Sequence, residues 1–548
     1  MKKHFFLVIA VATILSACGI KHESADLIIH NARIYTLNST NDIVQAVAIR
    51  DGKIIEVGAE RQILNKYRSE HIIDAAFKAV YPGFIDAHCH FLGYGLTLQD
   101  VNLVGTKSFK EVIDRVVNQA SPDSKAWIVG RGWDQNDWDT QVFPNRQMLD
   151  SLFPDRPVVL KRIDGHAILV NQVVLELAGL SVATEIEGGE LMVKSGQLTG
   201  VLIDNAMSFV FDRMPENDTK TLEKALISAQ ANCFGVGLTT VDDAGLDIDE
   251  VDLIRIMQDD GRLKMRIYAM MSDDPLNFEA LFETGPIKTD RLNVRSFKFY
   301  ADGSLGSRGA CLVKPYSDAE DSLHTGFLLD SISYYQFRAQ QLFDAGFQMN
   351  THCIGDSANR TMLEVYGNVL EGHNDKRWRI EHAQVLHSKD RRRFADFSIV
   401  PSVQPTHATS DMYWAGERLG RNRVRRAYAY NDLKEQIGII ALGTDFPVEG
   451  ISPLRTFYAA VARKDVEGFP KEGFQMENAL SREDALLGMT LWAAMANFEE
   501  GEKGTVEPGK LADLVMLDRD IMQIPEVDIL EVQVEYTIVN GEVVYSKK

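Results

Sequence analysis

The chain has 548 residues, 45% of them hydrophobic and 25% charged, with a formal net charge of -20. That length exceeds one ordinary domain, and the composition is that of a soluble globular protein. The acidic balance excludes a nucleic-acid partner, because nothing basic is available to follow phosphates.

The first residues, MKKHFFLVIAVATILSACG, read as a targeting segment outside the fold. Lys2 and Lys3 form a charged start, and Phe5 to Leu15 is an apolar run too short to span a bilayer in the usual way. Leu15-Ser16-Ala17-Cys18 resembles the lipobox of bacterial lipoproteins. That resemblance implies a signal peptide over 1–17, cleavage before Cys18 and lipid on its thiol; the plainer alternative is a signal peptide without lipid. It implies a protein anchored in the bacterial cell envelope on the periplasmic face, with Gly19 favouring the outer membrane. No later stretch offers about 18 uninterrupted apolar residues, so the membrane is expected to be met only through the anchor. Cys89, Cys233, Cys311 and Cys353 are scattered, with no CxxC pair. Neither a disulfide framework nor a thiolate zinc site is signalled, and buried apolar fillers are expected.

Residues 26–62 alternate in strand fashion, DLIIHNARIYTL and then IVQAVAIRDGKIIEVG, with Asp51-Gly52 as a hairpin turn. LADLVMLDRD and VEYTIVNGEVVYS repeat that character at the other end, with Asn540-Gly541 as the turn. A composite β-sandwich domain from 18–80 and 500–548 is expected. Between them, short apolar strands alternate with amphipathic helical stretches. YPGFIDAHCH, VGLTTVDDAG, KMRIYAMM, VRSFKFYADG, GFQMNTHCIGD, WRIEHAQ, FSIVPSVQPTH and GIIALGTDFP are eight strand candidates, the number that closes a (β/α)₈ TIM barrel over 81–499. The long interval at about 96–230 is read as an inserted α/β subdomain over the barrel mouth.

In such a barrel, chemistry sits at the carboxyl ends of the strands. His88 and His90 end strand one, on the same face because side chains alternate. Lys298 lies late in strand four between Phe297 and Phe299; His352 ends strand five, His382 strand six and Asp445 strand eight. Singly, each residue reads equally well as a strand cap, a satisfied core polar group or a turn residue. Their joint arrival at one rim of five strands favours a metal site.

HxH, a strand-four Lys, two separate strand-end His and a final Asp resemble the amidohydrolase superfamily, in particular its family 3, which includes N-substituted formamide deformylases. FIDAHCHFLGYG, GWDQNDW, RIDGHAILVN, KFYADGSLGSRGA, THCIGD, IEHAQ, GTDFPV and GTVEPGKLADLVMLDRD carry the resemblance over nearly the whole chain from residue 26. It implies one or two divalent ions, most plausibly zinc: His88, His90 and Asp445 on one, His352 and His382 on the other, and Lys298 bridging them as a CO₂-derived carbamate. A Lys buried among Phe side chains is desolvated, so its pKa falls and the neutral amine can take up CO₂. The implied reaction is hydrolysis of a carbon–nitrogen bond in a non-peptide amide, N-formyl, N-acyl or cyclic amide, by a metal-activated hydroxide. Asp445 then acts as catalytic base and acid.

Substrate contacts are expected from Trp133, Asp164, His166, Asp302, Ser304 and His407, although the tryptophans and charges of the insert read equally well as packing and salt bridges. His324, His373 and His387 read as surface or loop residues. The expected partner is a small amide-type molecule, and a homodimer is compatible with the reading. Rivals are a mononuclear deaminase or imidazolone-type ring hydrolase, and a tethered binding lipoprotein that keeps the ligands as a relic.

Overall fold

The computed structural model describes residues 22–119, 126–319 and 321–547. The signal-peptide and Cys18 expectations lie outside those residues.

The apolar runs of the middle of the chain form the strands β1 (Phe84–Cys89), β2 (Leu238–Leu246), β3 (Arg266–Ser272), β4 (Leu292–Tyr300), β5 (Gln348–His352), β6 (Arg379–Glu381), β7 (Val400–Val403) and β8 (Ala441–Leu442). They pair in that order, every pair parallel, as strands covered on both faces must be near-continuously apolar. The ring closes just past β8, where Asp445 N–H donates to His88 O and His90 N–H to Phe446 O, both at 2.8 Å. Helices separate the strands, from Thr219–Gly235 before β2 to Tyr430–Ile437 before β8. Local chemistry sets their ends. Asp247 and Glu250 make a reciprocal capping box at Ile248–Asp259, and Gly346 at φ 78 ends Ile332–Ala345.

β4 shows how period-2 alternation places a functional residue. Phe297 turns outward, stacked on Phe278 at 4.7 Å between ring centres, while Lys298 turns into the barrel beside His88. The reason for its desolvation is therefore not the flanking phenylalanines. It is burial at the base of the barrel cavity, beside His88.

The chain ends pack as two sheets. One orders Glu542–Ser546, Val534–Val539, Leu514–Leu517, Ala79–Pro82, Arg33–Tyr35 and Ile43–Val44; the other orders Lys53–Gly58, Ala46–Arg50, Leu27–His30 and His71–Asp74. Ile29, Val47, Val80, Leu514 and Ile538 fill the space between them. DLIIHNARIYTL does not stay one strand: Asn31, at φ 52, turns the chain from one sheet into the other. Both expected turns form, and they meet. A Cβ on Gly52 would lie 2.4 Å from Asn540 Oδ1, so only glycine fits at that crossing.

The insert after β1 carries a mixed sheet of Val101–Asn102, Ile128–Trp133, Val158–Arg162, Ala167–Val170, Gln197–Asp204 and Gly189–Lys194. Cys89, Cys233, Cys311 and Cys353 are unpaired thiols. Among the described residues no helix is long and apolar enough to cross a membrane.

Candidate metal centre

The carboxyl ends of β1, β4, β5 and β6 and the loop after β8 converge on a cavity of about 1020 Å³ whose wall includes His90, Lys298, His352, His382 and Asp445. His88 is fully buried beneath it, its Nε2 lying 3.2 Å from Lys298 Nζ and 3.7 Å from Asp445 Oδ1. The ring of His382 is 4.9 Å from that of His88 and 4.6 Å from that of His352. One potential ligand atom each from His88, His382 and Asp445 falls within a 4.8 Å group. The His382 ring lies between those of His88 and His352, next to both expected ligand groups. At His382 (φ 68) and Asp445 (φ 61) the backbone is left-handed. Such conformations cost of order 1–3 kcal/mol each and persist where the surroundings enforce them.

Hydrogen bonds assign the imidazole tautomers. Glu381 Oε2 lies 2.6 Å from His88 Nδ1. Burial alone would raise the Glu381 pKa, but the charge of Arg379 and the hydrogen bond from His88 outweigh it and keep the carboxylate ionised. It can only accept, so His88 Nδ1 carries the proton. His90 Nδ1–H likewise donates to Ala244 O at 2.9 Å, and His382 Nδ1–H to Gln404 Oε1 at 2.6 Å. His88 and His382, whose burial keeps them neutral, therefore turn an unprotonated Nε2 to the cluster. His90 Nε2 stands 3.3 Å from Asp445 Oδ1. Asp445 Oδ1 and His352 Nε2 are buried with no hydrogen-bond partner among the described residues.

Electrostatics agree with that chemistry. Burial, with Lys298 alongside, lowers His88 to about 4. Burial also carries His352 and His382 well below the usual imidazole value. Lys298 is lowered to about 8 by burial against the pull of Glu381 and Asp445. Neutral imidazoles beside a carboxylate are the donor set of zinc and similar divalent ions, so the residues fit a metal.

Gly443 makes the closure of the ring possible. A Cβ there would meet His88 N at 2.5 Å and Asp86 Oδ1 at 2.8 Å. Gly443→Ala is expected to push β8 from β1 and displace His88 and Asp445 together, costing about 1–3 kcal/mol and most of the bound metal. Urea denaturation combined with metal analysis checks this; a native midpoint and native metal content would count against the contact.

The family model described as "Amidohydrolase family" (Amidohydro_3) matches residues 71–545. The chain belongs to the amidohydrolase family. This amidohydrolase is 33% identical to Protein LONG AFTER FAR-RED 3 of Arabidopsis thaliana, over 90% of the chain and 87% of that protein. It is 27% identical to the N-substituted formamide deformylase of Arthrobacter pascens, over 95% of the chain and 98% of that protein. Among solved structures it resembles an uncharacterized metal-dependent hydrolase from Pyrococcus horikoshii OT3, with a TM-score of 0.74 and 27% identity, covering 91% of this chain and 99% of that one. It is thus a metal-dependent hydrolase of this family.

Of the residues expected at the substrate, the amidohydrolase cavity is lined by Asp164, His166, Ser304 and His407. The ring of His166 is 4.9 Å from that of His352, and the ring of His407 is 5.7 Å from that of His382. Two expectations need correction. Trp133 is 1% exposed, donates its indole N–H to Leu160 O and packs tilted on Trp138 and edge-on to Phe143 in the core of the insert, outside the cavity wall. Asp302 accepts the backbone N–H groups of Cys311, Ile354 and Gly355, so its carboxylate is spent shaping the loop after β5.

Residues not foreseen complete the site. Glu381 and Gln404 orient two imidazoles, Tyr300 lines the cavity, and Asp204 accepts from His166 Nδ1–H at 2.6 Å. The Asp204 carboxylate also explains the glycines of ADGSLGSRGA. A Cβ on Gly303 or Gly309 would lie 2.1 or 2.3 Å from its Oδ2, so that loop makes room for a buried carboxylate. The signal for Glu381 was its parity with Arg379, two charged residues on one face of a buried strand.

Proposed function

We propose that the protein hydrolyses the carbon–nitrogen bond of a small non-peptide amide, of the N-formyl, N-acyl or cyclic type. The observation that carries this reading is the meeting of bare imidazole nitrogens, Lys298 and the Asp445 carboxylate at the floor of a substrate-sized cavity. The likeness to a named formamide deformylase along nearly its whole length supports the bond type. His88, His90 and Asp445 would hold one divalent ion, zinc being the best match to the donors, with His352, His382 and a Lys298 carbamate available to a second. A bound ion supplies Lewis acidity, polarising a carbonyl and making water a nucleophile near neutral pH.

The protein's own groups supply the rest. Asp445 takes a proton from the attacking water on a carboxylate oxygen and returns it to the departing nitrogen. His166, fixed by Asp204, and His407 flank the imidazole cluster as hydrogen-bonding groups for the substrate. The buried His88–Glu381–Arg379 hydrogen bonds fix the orientation of the His88 imidazole.

The test is metal content of the chain from Cys18 onward, grown with zinc and bicarbonate, followed by a screen of N-formyl, N-acyl and cyclic amides before and after chelation. Near two ions per chain, falling in Lys298→Ala, with chelator-sensitive amide hydrolysis, is the expected result. One ion indifferent to Lys298 would point to a mononuclear hydrolase or deaminase. No metal at all would leave a binding protein.

A further inference from the structure

Charge in the cavity wall is balanced unevenly. Arg162 is neutralised by two carboxylates, Asp134 and Asp164. Arg131 lines the same cavity and makes no ion pair among the described residues. Its Nη2–H donates to Ile163 O at 2.9 Å, and its Nε is buried with no acceptor. A guanidinium has five N–H groups, so most of its hydrogen-bonding capacity is unspent.

Its neighbour makes the imbalance larger. Arg131 and Lys161 are register partners on adjacent parallel strands of the inserted sheet, two cations side by side. Lys161 Nζ lies 4.7 Å from the ring centre of Phe211, itself a cavity residue, and also forms no ion pair among the described residues. Like charges directly across a strand pair destabilise a sheet. Asp100 acts on both cations, and Asp445 and Asp164 act on Arg131 as well, yet none of the three is in ion-pair contact with either cation. Asp445 and Asp100 share this cavity wall with Arg131, so an anion on Arg131 stands in the same chamber as the metal centre.

We propose that Arg131, backed by Lys161, is a subsite for an anionic group, a carboxylate or sulfonate, on the part of the substrate that lies toward the inserted sheet. This rests on the amide-hydrolase reading above and adds the charge of the substrate to it. A planar guanidinium suits such a group because it can offer paired N–H donors.

Two measurements on the full metal-loaded chain test it. The first compares kcat/KM for N-formylphenylalanine and its neutral methyl ester. The wild type is expected to favour the acid by about tenfold to a hundredfold, as a charge-assisted hydrogen bond would give. Arg131→Met should lose that ratio through KM, and Arg131→Lys should recover part of it. An acid-to-ester ratio unchanged in Arg131→Met overturns the subsite. The second is calorimetric titration with 2-phenylethanesulfonate, whose sulfonate is a poor metal ligand. Its Kd should weaken at least about tenfold in Arg131→Met; no binding to the wild type, or equal binding to both, overturns the subsite. Melting temperature accompanies both, so that a loss of fold in Arg131→Met is told apart from a loss of the subsite, and Arg131→Lys, which keeps the charge, is the paired control. Sulfonate binding that depends on Arg131 with no amide hydrolysed would keep the subsite and sink the reaction. Hydrolysis indifferent to Arg131 would do the reverse.

Discussion

Asp445→Asn is expected to lower kcat by about 10²–10⁴-fold while the chain stays folded and keeps much of its metal, whereas His88→Ala should lose turnover and metal together. The contrast follows from position. Asparagine keeps an oxygen where Asp445 faces His90 at 3.3 Å, so a donor atom remains, but it can neither take a proton from water nor return one to nitrogen. Alanine at 88 removes the imidazole that Glu381 orients, and leaves that carboxylate buried with Arg379 alone. Metal analysis beside steady-state kinetics on the hydrolysed amide separates the two variants. An Asp445→Asn enzyme within tenfold of wild type would remove Asp445 from proton transfer.

The second large effect is expected beneath the metal centre. Arg379 is fully buried and holds Glu381 through Nε at 2.7 Å and Asp242 through Nη1 at 2.9 Å, with further bonds to Ser402, Asn497 and Ala87 O. Arg379→Met fills similar space but strands two carboxylates in the barrel interior. Breaking a buried pair by removing one partner costs about 3–5 kcal/mol. The damage should also reach the metal, because an unanchored Glu381 no longer fixes His88, and loss of such a partner typically weakens metal binding about 10–100-fold. Urea midpoints read the first effect and competition with a chromophoric chelator reads the second. Adding Asp242→Asn to Arg379→Met should restore part of the stability by removing one stranded charge. An unchanged midpoint in Arg379→Met would mean the network is not what holds the barrel floor together.

What could be read in advance was what is local. The eight barrel strands were legible because each is a short apolar run, and their ends were legible because His or Asp there breaks the run. His88, Lys298, His352, His382 and Asp445 could thus be placed on one rim before any contact was known. What was not legible depends on residues far apart in the chain. Glu381 meets His88 and Asp204 meets His166 only after the sheet closes and the insert folds over it. Trp133 looked like a substrate wall because aromatic residues near a barrel mouth suit a ligand, yet the insert needs a core of its own and takes Trp133 for it. Asp302 looked like a ligand-facing acid, and the loop after β5 used it first.

The meeting of the two chain ends has a consequence for synthesis. Ala79–Pro82 pairs with Leu514–Leu517, and Ile54 N–H bonds to Lys510 O, so strands from the first residues wait for partners made roughly 430 residues later. At about 5–20 residues per second a ribosome takes on the order of 20–90 s to deliver them. Through that interval the inner faces of Leu27–His30 and Ala46–Arg50 lack the Leu514–Leu517 and Val534–Val539 half of the opposite sheet. The earliest-made segment is therefore among the last to be sealed, and the nascent chain must be shielded from its neighbours until its own tail arrives.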